Sequence, residues 1–373
     1  MKGTRKKRAA RAGARARTAP RRPEAVATIE NRSDNAVAQG LQWPWPIMKT
    51  VRCEVLGDIA LGAMAGQGGM GKVWLGDASG RPVAVKILAP HLTHFGEARE
   101  RFAREIDALA RVESPRIAKL LGRGTTSCGL PFFVMEQIAG ESLEALLERR
   151  GPLTPRETGR VLAHVLEALA AAHAAGAVHR DVKPGNVMVA RAGERGELDA
   201  TLVDFGVAKT AWRARITLDA HTLGTLRYMS PELLFGASAA TASCDLWAAA
   251  AVAYECLTGS APFDGGSIGA MALALDAGVF VPPSRAREDL PSEMDAFFAR
   301  AFARAESERF ASADEMAAAF KLAVAACGAP VIPAPPSERR SAPTVRPPAQ
   351  SGTRLRPGVG EYRVVARRAR RAR

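Results

Sequence analysis

The sequence predicts an α+β protein of two lobes, a small β-rich one followed by a larger helical one, with a basic tail at each end. Three observations carry this. Short runs of strand-forming residues gather between Val55 and Ala110, helical periodicity takes over after Gly140, and the positive charge sits at the chain ends. Residues 1–46 hold 11 Lys and Arg against 3 Asp and Glu, residues 329–373 hold 11 against 2, and the stretch between holds 30 against 33. The formal charge of +14 is thus a property of the tails, and the middle of the chain is close to neutral.

In chain order, residues 1–54 read as a disordered basic tail and linker, with Arg5-Lys6-Lys7-Arg8 as its densest charge run and Met48 as an alternative start of translation. Residues 55–327 read as one folded domain, with a β-rich lobe over 55–139 and a helical lobe over 140–327. In the first lobe, Val73–Leu75 and Val83–Leu88 are strands, and a helix is expected from about Glu97 to Arg111. In the second, Thr154-Pro155-Arg156-Glu157 is a capping box with proline at the first helical position. Leu162, Val165, Leu166 and Leu169 give that helix its apolar face, and Gly176 is placed to stop it. Helical pattern returns over Leu246–Leu257 and over Ser292–Ala326. Residues 328–373, rich in Pro, Ser and Arg and ending near Arg367-Arg368-Ala369-Arg370-Arg371, read as a second disordered tail.

Composition excludes several classes. No apolar run of signal-peptide type follows the basic N-terminus, and Leu246–Leu257, broken by Glu255, falls well short of the roughly 18 apolar residues a membrane span needs. A cytoplasmic protein is expected. Cys53, Cys128, Cys244, Cys256 and Cys327 show no paired spacing, which fits free buried thiols better than disulfides or zinc. The tails have the charge to attract acidic proteins or nucleic acid as partners, or only to confer solubility.

Chemistry first shows in Gly66-Gln67-Gly68-Gly69-Met70-Gly71-Lys72-Val73, where glycines would let backbone amides approach phosphate oxygens. Alone, this spacing fits a flexible hairpin or a dinucleotide site equally well. The strand Val83-Ala84-Val85-Lys86 shifts the balance, because alternation puts Ala84 and Lys86 on one face, a small residue leaving room for a flat base beside a cation that reaches phosphate. A dinucleotide site would instead need a helix after the glycines and an acid about 20 residues on. Glu105, three residues after Phe102 and four before Leu109, lies on the apolar face of its helix and needs a partner; Lys86 or a surface arginine would serve.

The most specific run is His179-Arg180-Asp181-Val182-Lys183-Pro184-Gly185-Asn186, followed by Asp204-Phe205-Gly206. Here the sequence resembles the protein kinase superfamily, and the resemblance extends over nearly all of residues 55–327. It implies the bilobal protein-kinase fold and the transfer of the γ-phosphoryl group of ATP, with Mg2+, to protein serine and threonine hydroxyls. It further implies Asp181 as the base, Lys183 as the cation on the migrating phosphoryl group, and Asn186 and Asp204 as metal ligands. Gly66, Gly68 and Gly71 would cover the phosphates, with Lys86 paired to Glu105 beneath them. Val73 and Ala84 would lie above the adenine and Met188 below it, with Met135 at the back and Glu136 and Ile138 offering backbone hydrogen bonds to the base. Leu109, Leu120, His179 and Phe205 fall where the family stacks a hydrophobic spine, Asp245 where it holds the catalytic loop, and Glu232 and Arg309 where it forms an ion pair.

Lys183 and Thr225, the latter expected to bridge Asp181 and Lys183, resemble serine/threonine rather than tyrosine kinases, and Gly-Gly-Met-Gly resembles bacterial members. Arg180 implies a phosphate on the activation segment, with Thr217 the first candidate for autophosphorylation and Thr222 the second. The sequence departs from the pattern at Ala65 and Ala250, where glycines are usual, and at Gly185, where kinases that select arginine often carry Glu. Two other readings compete: a nucleotide-binding scaffold without catalysis, and a polyanion-binding protein in which the tails are primary.

Overall fold

The computed structural model describes residues 49–68, 71–90, 106–107, 109–194, 196–205, 226–235, 240–264 and 267–327. All belong to the first of two units, residues 1–329 and 330–373. Six antiparallel strands form the first lobe: β1 (Thr50–Cys53), β2 (Gly57–Gly68), β3 (Gly71–Ala78), β4 (Arg81–Leu88), β5 (Leu120–Thr125) and β6 (Pro131–Glu136). Their order in the sheet is β1-β2-β3-β4-β6-β5. The first strand lies upstream of the boundary expected at residue 55. Of the helix expected from Glu97, Ile106, Asp107 and Leu109 are described and are helical.

Strand alternation divides this sheet between two cores. Val83, Val85 and Ile87 of β4 join Phe132 and Val134 of β6 in an outer cluster with Val51, Cys53 and Ile59. The intervening Ala84, Phe133 and Met135 face the other way, into the cluster that continues through the helical lobe. Lys86 lies on that second face, so the alternation expected for Ala84 and Lys86 aims both at the cleft between the lobes.

The helical lobe opens with a short strand, β7 (Glu141–Ser142), leading into α1 (Leu143–Arg150), whose N-cap is the Ser142 hydroxyl accepting from Ala145 N at 3.1 Å. Next comes α2 (Pro155–Ala174), begun by the expected capping box: Glu157 N donates to the Thr154 hydroxyl at 3.2 Å, and Thr154 N donates back to the Glu157 carboxylate at 3.1 Å. Its end is also as expected, with Gly176 at φ +75° and its N–H on the His173 carbonyl. A 3-10 turn (Pro184–Asn186) then leads into β8 (Val187–Ala192) and β9 (Glu197–Leu202), and β8 lies between β7 and β9 in a three-stranded sheet.

Among the described residues the further α-helices are α3 (Pro231–Leu234), α4 (Ala242–Thr258), α5 (Ile268–Ala277), α6 (Pro283–Ala286), α7 (Ser292–Ala301) and α8 (Ala313–Ala326). Buried on nearly every side, α4 forms the centre of the lobe, which explains an apolar run too short for a membrane. Ser292–Ala326 is two helices rather than one. The break falls where Arg309 turns inward to meet Glu232 and where the Ser312 hydroxyl caps a new helix by accepting from Glu315 N. Among the described residues no helix is long and apolar enough to cross a membrane. All five cysteines are free thiols; Cys53, Cys244 and Cys256 are buried as expected, but Cys327 is half-buried at the end of its helix and Cys128 is exposed in a turn.

Candidate active site

The segment from His179 to Asn186 is held from below by one buried carboxylate. Asp245, on the first turn of α4 and 1% exposed, accepts from His179 N and Arg180 N, each at 2.7 Å, and from His173 Nε2 at 2.9 Å. These donors allow the backbone to keep Arg180 at φ +66°, a conformation that costs a non-glycine residue about 1–3 kcal/mol. His179 closes the network from the other side. Its Nδ1 accepts from Asp181 N at 3.2 Å, which leaves Nε2–H to donate to the Val203 carbonyl at 3.2 Å. Burial pushes its pKa down, in keeping with that neutral tautomer. Its ring packs against Phe205 at 4.4 Å between centroids, and Leu109 and Leu120 pack, partly buried, against the extended core to which Phe205 belongs.

Above this base the reactive groups converge. Asn186 Nδ2 donates to the Asp181 carbonyl at 2.8 Å and to its carboxylate at 3.1 Å, so the 3-10 turn fixes Asp181 from one side. Lys183 Nζ lies 3.5 Å from the same carboxylate, and the Asp181 charge raises the lysine pKa against the opposing effect of burial. Asp204, itself at φ +60°, forms an ion pair with Lys86 Nζ across the cleft. Asp204 is therefore the described partner of Lys86. Glu105 lies outside the described residues, as do Gly206, Thr217, Thr222 and Thr225.

The roof of the cleft is the β2–β3 hairpin. Two of its glycines differ in kind from the third. Gly71 stands at φ +146°, and a Cβ there would lie 2.1 Å from the Ile87 carbonyl oxygen, so the fold itself requires glycine. At Gly66 and Gly68 a Cβ would meet nothing within 4 Å and φ is not positive, so neither strain nor packing accounts for them. Behind the hairpin, Val73 is paired with Lys86, and Ala84 with Met135. Met188 enters from β8, opposite Thr201. Glu136 N is engaged by the Lys119 carbonyl at 2.8 Å, and Ile138 is half-buried just beyond β6.

Farther along, Arg309 makes the expected pair with Glu232 as a two-pronged contact at 2.9 and 3.0 Å, stacks over Trp247, and donates to the Ala303 carbonyl. Burial works against the Glu232 charge, yet the Arg309 hydrogen bonds hold its pKa below the ordinary value. Three residues of the site were not read from the sequence. His173, in the last turn of α2, supports Asp245. Tyr228 donates its hydroxyl to Glu255 at 2.6 Å, and burial raises the pKa of both groups. Glu144, at the start of α1, has its carboxylate beside Gly185. The only signal for the first was a histidine in the last turn of α2; for the other two there was none.

The family model for the protein kinase domain matches residues 60–320. The chain is 35% identical over 271 residues to the serine/threonine-protein kinase PknE of Mycobacterium tuberculosis, covering 72% of this chain and 46% of that protein. It is 36% identical over 271 residues to a probable serine/threonine-protein kinase PknB of Bifidobacterium longum, covering 69% of this chain and 38% of that one. It thus spans less than half the length of these relatives. Among solved structures, the PknI kinase domain of Mycobacterium tuberculosis matches with a TM-score of 0.58 at 26% identity, over 75% of this chain and all of the other.

Proposed function

The chain belongs to the protein kinase family, and from that premise we propose that it transfers the γ-phosphoryl group of ATP to serine and threonine hydroxyls of proteins. The observation that carries the reading is the meeting of Asp181, Lys183 and Asn186 with the Lys86–Asp204 pair under a hairpin whose Gly66 and Gly68 the protein's own packing does not require. Open glycines leave backbone amides accessible to phosphate oxygens. The Asp204 carboxylate and the Asn186 side-chain oxygen are the hard donors that Mg2+ takes. When bound, the ion supplies charge neutralisation on the phosphate oxygens.

The chain's own residues do the rest. Asp181, oriented by the Asn186 amide and by its own N–H on His179, accepts the hydroxyl proton and aims the oxygen. Lys183 and Lys86 place positive charge where it develops on the transferring group. Val73, Ala84, Met135 and Met188 enclose the base, with Glu136 and Ile138 at its hydrogen-bonding edge. In the same reading Glu105 aims Lys86 and Thr225 links Asp181 to Lys183. Autophosphorylation at Thr217 or Thr222, a cytoplasmic location, and acidic or nucleic-acid partners for the basic tails are further parts of the proposal.

The purified full chain, incubated with Mg2+, γ-labelled ATP and a mixed protein substrate, should place acid-stable label on serine and threonine and none on tyrosine. Nucleotide binding without any transfer would support the scaffold reading instead.

A further inference from the structure

The sequence assigns Thr50–Cys53 to the basic tail, yet in the fold this strand meets both β2 and β5, the outermost strands of the rest of the sheet. β1 pairs with β2 from Thr50 opposite Ala60 to Cys53 opposite Gly57, and it also packs against β5. Alternation buries Val51 and Cys53 in the outer core and leaves Thr50 and Arg52 exposed. Two glycines of β5 form its seat. A Cβ on Gly122 would lie 2.6 Å from Cys53 Sγ, and one on Gly124, which also faces the Phe132 ring, would lie 2.9 Å from the Arg52 carbonyl oxygen. Neither glycine has a positive φ, so what Gly122 provides is room for β1 and not a turn.

The seat stands at one end of a row that runs to the chemistry. The Cys53 thiol donates to the Arg123 carbonyl at 3.6 Å; Arg123 is paired with Phe133, Phe133 with Lys86, and Lys86 with Val73. The Arg123 guanidinium donates to Asp107 at 2.7 Å, two residues after Glu105 in the chain. On the other side β1 supports β2 as far as Leu61, whose N–H donates to the Lys49 carbonyl, and the register shifts that lead to Gly66 begin there. Resting on the kinase reading above, we propose that β1 is a strap that closes the β-rich lobe between β2 and β5, and that Cys53, seated on Gly122, is a positioning residue that sets Lys86 for phosphoryl transfer. A twisted sheet held at both of its outer strands keeps its curl, and a lysine on an inner strand keeps its aim. With the strap displaced from β5, the row through Arg123 and Phe133 shifts, and a small misplacement of the lysine charge is enough to slow the chemistry.

Gly122→Ala in the full-length protein is the lever, because its Cβ meets Cys53 and, at 3.8 Å, Val55, and nothing else beyond its chain neighbours. Alkylation of the native chain with iodoacetamide, read cysteine by cysteine by mass spectrometry, should modify the exposed Cys128 at least about tenfold faster than the buried Cys53 in the wild type. Gly122→Ala should remove most of that difference. In the same variant kcat for phosphate transfer should fall about tenfold or more while nucleotide affinity stays within about threefold, the split expected of a misaimed lysine. Adding Cys53→Ala clears the collision, so the double variant should return to within about threefold of Cys53→Ala alone, a rescue that general damage to the fold would not show. Unchanged protection of Cys53 in Gly122→Ala would overturn the strap, and faster labelling with an unchanged kcat, or a double variant without rescue, would overturn the positioning role. Absence of transfer to mixed protein by the wild type would overturn the kinase reading and the positioning role with it, while the labelling still decides on the strap.

Discussion

The floor and the roof of the cleft are built on opposite principles. The floor, from His179 to Asn186, is held by buried groups distant in sequence: Asp245 takes three donors, His179 braces Asp181 from behind, and Arg180 keeps a left-handed backbone because those bonds hold it there. The roof is a local hairpin whose Gly66 and Gly68 have open space where a side chain would stand. Where a charge must be aimed to within a fraction of an ångström, the protein surrounds it; where a ligand must enter and leave, it leaves space.

The comparison can be broken most severely at Asp245. In Asp245→Asn an amide nitrogen would face at least one of the donors now on the carboxylate, inside a site 1% exposed. We expect a loss of about 2–4 kcal/mol in stability together with a fall in kcat of at least about tenfold, read by denaturant unfolding and by phosphate transfer. Wild-type stability would mean that the loop does not depend on that carboxylate.

The roof gives a smaller and divided effect. Gly71→Ala should cost about 2 kcal/mol or more, since its Cβ would collide with the Ile87 carbonyl at a φ that L-residues avoid. Gly68→Ala should change stability by less than about 1 kcal/mol yet weaken nucleotide binding by about tenfold. Equal behaviour of the two variants would remove the distinction between a glycine kept for the fold and one kept for a ligand.

These two glycines also mark what the sequence could and could not tell. The motif from His179 to Asn186 was legible because its groups are contiguous, and the strand Val83–Lys86 because alternation is a local rule. The Lys86–Asp204 pair, the His173–Asp245 bond and the Tyr228–Glu255 bond were not, since each joins residues brought together only by tertiary packing. Glu255 shows the difference well: along the chain it merely interrupted an apolar run, whereas in the fold it receives a buried hydroxyl. Gly185 was legible only as a departure from the family's pattern, whereas the Glu144 carboxylate that lies beside it comes from another element. The single helical pattern over Ser292–Ala326 hid a break in the same way, since the break holds Arg309, whose partner Glu232 lies far upstream.

The mildest expected effect is on pH dependence. Burial lowers the pKa of His179 and of His164, so both are neutral in the folded state and take up protons on unfolding in weak acid. Their contribution is fully present above the unfolded value of about 6.5 and is lost as pH falls through the lower folded values. The Tm should therefore drop between pH 7.5 and 5.5. In His179→Phe the drop should shrink without vanishing, since His164 remains; a drop as large as that of the wild type would assign the acid sensitivity elsewhere.

The central claim, that the floor does chemistry while the roof holds the nucleotide, is tested most directly by Asp181→Asn, with nucleotide affinity and phosphate transfer measured on the same purified protein. The account predicts affinity within about threefold of wild type and kcat reduced by at least about a hundredfold, the size expected when a positioned base is removed. Transfer at the wild-type rate would contradict it.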